Sequence, residues 1–307
     1  MSWCRLHAAL AEAMAGRGRI VWLTGEPGIG KTRTAAEFAD QARRTGAGVL
    51  WGACYDGEWA PPFGPFAEAI ATYARRCAPD TLRDDLGFGA APIARVVPAV
   101  RERLPDVPEP APLQPDEERF RLLDAVSQFL IATALRTPLV LVLDDLHWAD
   151  KGSIAMLRHV ARYAPQHRLL MLGTYRDVEL DGQHPLTDVL GALYRETTCE
   201  RILLTGLDPA DVAQLVATSA VPAEQRDSVA EAINAVTNGN PFFVVLRTRG
   251  PASPGRRAAT RPRANEWPPH DRRRIECVGS QQELPDELQV DRGPGKRLRD
   301  RDIHKGE

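Results

Sequence analysis

In Gly25-Glu26-Pro27-Gly28-Ile29-Gly30-Lys31-Thr32, Gly25 and Gly30 precede a lysine and a hydroxyl residue at the spacing of a phosphate-binding loop. Glycines let backbone N–H groups converge on phosphate oxygens, and a helix that starts there points its positive end at the same place. Lys31 would bring a cation to the β and γ phosphates. Thr32 would offer its hydroxyl to Mg2+, an ion that takes six oxygen ligands and keeps much of its water. Such a loop needs an acid for the metal, and the apolar run Leu139-Val140-Leu141-Val142-Leu143 ends in Asp144-Asp145. Asp144 is the candidate to hold Mg2+ through its water shell, and Asp145 the candidate to orient or deprotonate the attacking water.

A third apolar run, Leu170-Met171-Leu172-Gly173, leads into Thr174-Tyr175-Arg176. Parallel α/β sheets gather ligands at the carboxyl ends of their strands, so Thr174 and Arg176 are expected to face the γ phosphate beside Asp145. Spacing leaves a second reading of Arg176 open, a surface ion pair with Asp177 or Glu179. His147 and Trp148 read as structural residues.

These residues need a scaffold that brings three strand ends together. Leu6, Leu10 and Met14 recur at helical spacing within Trp3 to Ala15, ahead of a strand at Ile20 to Thr24. After the glycine-rich turn come a helix at Thr32 to Arg44 and a strand at Gly48 to Cys54. Tyr55 to Pro138 reads as a packed helical insertion, with helices at Pro65 to Cys77 and Asp116 to Arg136 and a proline-punctuated stretch, Pro98 to Pro115, between them. Pro115 and Asp116 mark a helix start. Next come a strand at Leu139 to Leu143, a helix near Ser153 to Tyr163, a strand at Arg168 to Gly173, a helix near Pro185 to Tyr194 and a strand at Arg201 to Thr205. The alternation implies a mainly parallel sheet covered on both faces. Asp208 to Ser219 and Ala223 to Thr237 read as two helices of a small subdomain.

The chain has 307 residues, with 39 Lys and Arg against 41 Asp and Glu. That balance excludes a global attraction to nucleic acid or anionic membrane. No apolar run approaches a bilayer span, and Arg5, His7 and Glu12 interrupt the amino-terminal segment, so a cytoplasmic location without a membrane partner is expected. Five cysteines, without a Cys-x-x-Cys, read as reduced thiols. Pro251 to Glu307 is rich in Arg, Pro and Gly and poor in large apolar side chains, which reads as disorder. Because periodicity stops abruptly at Thr248, the hypothesis for the carboxyl-terminal segment from there on is a shifted reading frame or a degraded end. Arginines from Arg256 to Arg274 offer a rival reading as a nucleic-acid tail, which the acids of the same segment oppose.

The set GEPGIGKTR, LVLDDLHWAD, MLGTYRD and TNGNPFFV resembles the STAND branch of AAA-type P-loop NTPases, and more narrowly the ATPase module of large LuxR-type regulators and of modules associated with nucleotide cyclases. The likeness spans roughly Leu6 to Leu246. It implies a P-loop three-layer α/β sandwich around a five-stranded sheet over residues 1–206, with the insertion at about 55–138. A helical lid at 207–247 and a tail at 248–307 would complete the chain. It also implies an ATP-driven switch: ADP holds a closed form, while ATP permits self-association or binding of regulator partners. By that resemblance Arg176 is the sensor of the γ phosphate and Gly239-Asn240-Pro241 the lid motif, with Pro241 against the nucleotide. Without it, Asn238 to Pro241 is a helix-ending turn.

The candidate nucleotide contacts are thus Gly25, Glu26, Pro27, Gly28, Ile29, Gly30, Lys31, Thr32, Thr34 and Pro241. Lys31, Asp145 and Arg176 are the candidate catalytic residues, and Thr32 and Asp144 the Mg2+ ligands. The opening Met1-Ser2-Trp3-Cys4-Arg5 departs from the Gly-Arg-Glu-like motif with which the family helps hold adenine, a departure that bears on nucleotide affinity. No winged helix or helix-turn-helix is legible after GNPFF, so DNA binding by this chain alone is not expected. Three functions are compatible with these residues: an ATP-binding, slowly hydrolysing switch, a regulator whose nucleotide gates DNA binding, and an inactive fragment.

Overall fold

Five strands form one sheet in a computed structural model that describes residues 2–57, 61–180, 184–219 and 221–248. They are β1 (Arg19–Thr24), β2 (Gly48–Ala53), β3 (Leu139–Asp144), β4 (Leu169–Thr174) and β5 (Cys199–Leu203), in the order β2-β3-β4-β1-β5 with every neighbour parallel. The readings of the segment beyond Thr248 lie outside the described residues.

The period of two along each central strand sorts side chains into two cores. Ile20 and Trp22 of β1, Leu139, Leu141 and Leu143 of β3, and Leu169 and Met171 of β4 point into one. Val21 and Leu23, Val140 and Val142, and Leu170 and Leu172 point into the other. A strand buried on both faces is a near-continuous apolar run, as β3 is. Each such side chain contributes about 1.5–3 kcal/mol when fully buried.

Helices α1 (Ser2–Met14) and α2 (Lys31–Arg44) cover the second face through Leu6, Leu10, Phe38 and a series of alanines. The first face is covered by the insertion, by α8 (Lys151–Ala161) and by α9 (Pro185–Leu193). The insertion comprises α3 (Gly64–Arg76), α4 (Pro79–Leu86), α5 (Ala90–Val96), α6 (Pro98–Arg103) and α7 (Pro115–Arg136). Sequence periodicity gave α3 and α7 but not the three short helices between them. Pro98, read as punctuation, is the first residue of α6, where its missing N–H costs nothing. A polar brace ties the insertion: the carboxylate of buried Asp85 on α4 accepts from Tyr73 Oη on α3 and from the Arg136 guanidinium on α7.

Strand β5 begins two residues before its expected start, because pairing with β1 opens at Cys199 opposite Ile20 rather than at the apolar Ile202-Leu203-Leu204. Beyond it, α10 (Pro209–Ala217), α11 (Arg226–Thr237) and α12 (Pro241–Thr248) share a core of Val212, Val216, Ala230, Ile233 and Val244. The turn at Asn238 to Pro241 ends α11, with Asn238 in the left-handed region at φ 48°, and it also starts α12. Among the described residues no helix is long and apolar enough to cross a membrane.

Candidate phosphate-binding site

The topology places the loop after β1, the acids at the end of β3 and the Arg176 turn after β4 together at the carboxyl ends of three neighbouring interior strands, since β4 lies between β3 and β1. The β1–α2 loop is shaped by backbone no larger residue adopts cheaply. Gly30 caps α2 at φ +100°, and Gly28 has φ +79° with no room for a Cβ, which would lie 2.7 Å from Phe242 Cβ. Gly25 is buried, and Glu26, Pro27 and Gly28 face outward, while Ile29 anchors the loop in the core. Thr34 stands one turn into α2, its N–H donating to Gly30 O at 2.8 Å.

Lys31 opens α2 and folds back across the loop. Its Nζ donates to Gly25 O at 2.8 Å and to Glu26 O at 3.0 Å. Burial lowers its pKa and the nearby Arg176 guanidinium lowers it further, against the opposing pull of Asp145, Asp144 and Asp177. Desolvation is the largest of these causes, so what sets this ammonium apart is its burial at the start of α2.

Thr32 and Asp144 meet at these strand ends. Thr32 Oγ1 donates to Asp144 Oδ1 at 3.2 Å, and Thr174 Oγ1 donates to the same oxygen at 2.5 Å. The N–H of Asp145 donates to Thr174 Oγ1 at 2.9 Å. Thr174 is fully buried and sits beneath the two acids, which corrects the expectation that it faces the phosphate: as the last residue of a covered central strand it positions the acids. Asp145 adopts φ 55°, ψ 44°, a conformation uncommon for a residue with a side chain.

Among the described residues no group of three or more His, Cys, Asp or Glu is placed to hold a metal. The oxygens that Thr32 and Asp144 bring together are hard donors of the kind Mg2+ takes alongside phosphate and water.

Arg176 makes the ion pair that spacing left open. Its Nη1 lies 2.5 Å from Glu179 Oε1, and its guanidinium stands 5.0 Å from the centre of the Trp148 ring. Asp177 pairs instead with Arg201 at 2.6 Å. His147, with no exposed side-chain surface, packs on Trp148 at 4.5 Å between ring centres. Its Nε2 is 3.2 Å from Glu179 Oε2, but neither ring nitrogen completes a hydrogen bond. Burial pushes its pKa down to about 4, so the ring is neutral near pH 7. His184 Nε2 lies 3.1 Å from His147 O. Sequence reasoning gave Trp148 and His147 no chemical role and did not single out His184. For His147 and Trp148 only their nearness to the Asp144-Asp145 run hinted at the site, and for His184 no sequence signal did.

From the other side, Asn240 reaches the loop. Its Nδ2 donates to Pro27 O at 3.0 Å, its Oδ1 accepts from Phe242 N at 3.2 Å, and Phe242 N lies 3.3 Å from Gly28 O. Asn240 is 4% exposed. Pro241 is the first residue of α12 and is only half-buried, so within the motif the asparagine holds the loop directly.

The family described as AAA ATPase domain matches residues 3–172, more than half of the chain. An uncharacterized protein of Rhizobium meliloti (strain 1021) is 25% identical over 207 residues, which are 60% of this chain and 19% of that protein. A STAND protein with a tetratricopeptide repeat sensor from Pyrococcus horikoshii is similar in structure at a TM-score of 0.42 and 14% identity, over 78% of this chain and 28% of that one. A Thermotoga maritima RuvB variant gives a TM-score of 0.39 at 16% identity, over 80% of this chain and 58% of its own. A DNA replication initiation factor gives 0.38 at 13%, over 80% and 62%. The chain spans about a fifth of the Rhizobium relative and under two thirds of each of these structures.

Proposed function

This chain belongs to the AAA ATPase domain family, and from that premise we propose that it binds ATP and ADP with Mg2+, hydrolyses ATP slowly and acts as a nucleotide-dependent switch. The observation that supports this most is the meeting of Lys31, Thr32, Asp144 and Asp145 at the carboxyl ends of β1 and β3, where Lys31 folds back over the glycine-rich loop and Thr32 bonds to Asp144. The backbone of Gly25 to Gly30 and the start of α2 would hold the phosphates, with Lys31 against the outer two. Thr32 and Asp144 would hold Mg2+, which when bound supplies positive charge to phosphate oxygens. Asp145 orients the attacking water and accepts its proton, while Thr174 fixes the backbone of that acid. Arg176 stabilises charge on the γ phosphate. Thr34 and Pro241 flank the nucleotide.

Residues 1–206 would form the nucleotide-binding unit and 207–247 the lid whose position reports the nucleotide. The motif set supports a module of a larger LuxR-type regulator, and the short share of the Rhizobium relative that this chain spans is consistent with a module of something longer. ATP-dependent self-association or regulator binding belongs to the same proposal. Asp145→Asn tests the catalytic assignment: it should keep ATP binding and lose turnover in a phosphate-release assay. Undiminished hydrolysis would remove Asp145 from the mechanism.

A further inference from the structure

Arg176 is a proposed phosphate ligand whose charge already has a carboxylate in contact, and that contact bears on which nucleotide the site prefers. The turn Asp177–Glu179 brings Glu179 back against Arg176, with Glu179 N donating to Arg176 O at 3.3 Å and Glu179 Oε1 taking the guanidinium at 2.5 Å. The other acid of the turn is committed elsewhere, to Arg201 on β5. Trp148 lies under the guanidinium at 5.0 Å, within cation–π range. The Arg176 side chain keeps 20% of its surface exposed and Glu179 keeps 35%, so the pair is reachable by an incoming anion. Arg176 follows β4, which lies between β1 and β3, so its turn stands beside those that carry Lys31 and Asp145.

We propose that Glu179 is a specificity-determining residue: its carboxylate occupies Arg176 in place of a terminal phosphate and thereby sets how strongly a nucleoside triphosphate is preferred over a diphosphate. The inference rests on the reading of these strand ends as a nucleotide site. A diphosphate has no third phosphate to reach Arg176, so the Arg176–Glu179 pair survives its binding. A triphosphate must share the guanidinium or displace the carboxylate. Displacement leaves Glu179 beside His147, whose ring is neutral near pH 7 and supplies no replacement charge. The pair therefore opposes the triphosphate specifically and reduces the margin by which it is preferred over the diphosphate.

The test is a set of equilibrium titrations of the full chain with fluorescent ATP and ADP in Mg2+. Glu179→Gln, which keeps the shape and removes the charge, should raise the ATP-to-ADP affinity ratio about fivefold, the upper range for releasing a partly exposed ion pair. Its ADP affinity should stay within about twofold of wild type on the same grounds. Arg176→Ala should lower the ATP-to-ADP affinity ratio, and adding Glu179→Gln to it should change nothing further, because the coupling runs through the guanidinium. A purely structural Glu179 would instead shift both affinities together, and thermal unfolding of each variant reports that separately. An unchanged or lowered ratio in Glu179→Gln, with wild type binding both nucleotides, overturns this inference alone. A wild-type chain that binds neither nucleotide overturns the proposed function and this inference with it.

Discussion

Replacing Asn240 by aspartate separates two jobs done by one side chain. The amide caps α12 by accepting from Phe242 N and clips the lid helices to the phosphate loop by donating to Pro27 O, 213 residues away in sequence. Aspartate keeps the cap, being as good a capping residue as asparagine. It loses the donor and turns a carboxylate toward the Pro27 carbonyl. Loss of the hydrogen bond costs about 1 kcal/mol, and leaving a charged oxygen against an unpaired acceptor at a site only 4% exposed brings the total to about 2 kcal/mol. That corresponds to an approximately 30-fold change in the opening equilibrium. Val244 still anchors α12 to Val212 and Val216, so the three lid helices stay together. Hydrogen exchange read by mass spectrometry should speed up about 30-fold over residues 25–30 and the first turn of α12, with α10 and α11 unchanged. Asn240→Ala should have a larger effect because the cap goes as well. Unaltered exchange at residues 25–30, or equal acceleration across α10 and α11, would refute the assignment of Asn240 as the clip.

Arg136→Ala leaves the buried Asp85 carboxylate with Tyr73 as its remaining named donor, and should lower stability by about 2–3 kcal/mol in urea unfolding. A loss below about 0.5 kcal/mol, the range of ordinary surface changes, would show the brace to be idle. His147 sets a pH dependence. Unfolded, it takes a proton near its ordinary 6.5, whereas folded it resists protonation down to about 4. Between these values the unfolded state binds more protons, so stability falls as pH falls through that window, by on the order of 3 kcal/mol at its acid end. His147→Asn should flatten this slope in thermal unfolding measured across the window, and an identical slope would contradict the buried neutral imidazole.

The parts of the fold that showed in the sequence are those with local causes. The loop from Gly25 to Thr32 is written in backbone requirements, and β3 in a run of Leu and Val that only a doubly covered strand demands. The start of α7 is marked by Pro115 with three acids, whereas α8 starts two residues before the expected Ser153, behind Asp150, whose carboxylate accepts from Gly152 N and Ser153 N. What stayed hidden depends on tertiary neighbours. α4, α5 and α6 span eight, seven and six residues, too short for a periodic signal, and they are stabilised by the core they join. α12 was obscured because Asn238 to Pro241 reads equally well as an end and as a beginning. The reach of Asn240 to Pro27, the Trp148 platform and the inward turn of Thr174 connect residues whose proximity is set only by the strand order.

The most direct test of the central claim is titration of fluorescent ATP and ADP into the wild-type chain and Lys31→Ala, with and without Mg2+, after circular dichroism shows both to be folded. Lys31 bridges the loop and supplies its cation. Wild type should therefore saturate with both nucleotides, more tightly for ATP when Mg2+ is present, and Lys31→Ala should lose at least about tenfold in affinity, the scale of one charge-assisted contact. Equal binding by Lys31→Ala, or no binding by wild type, would contradict a phosphate site at these strand ends.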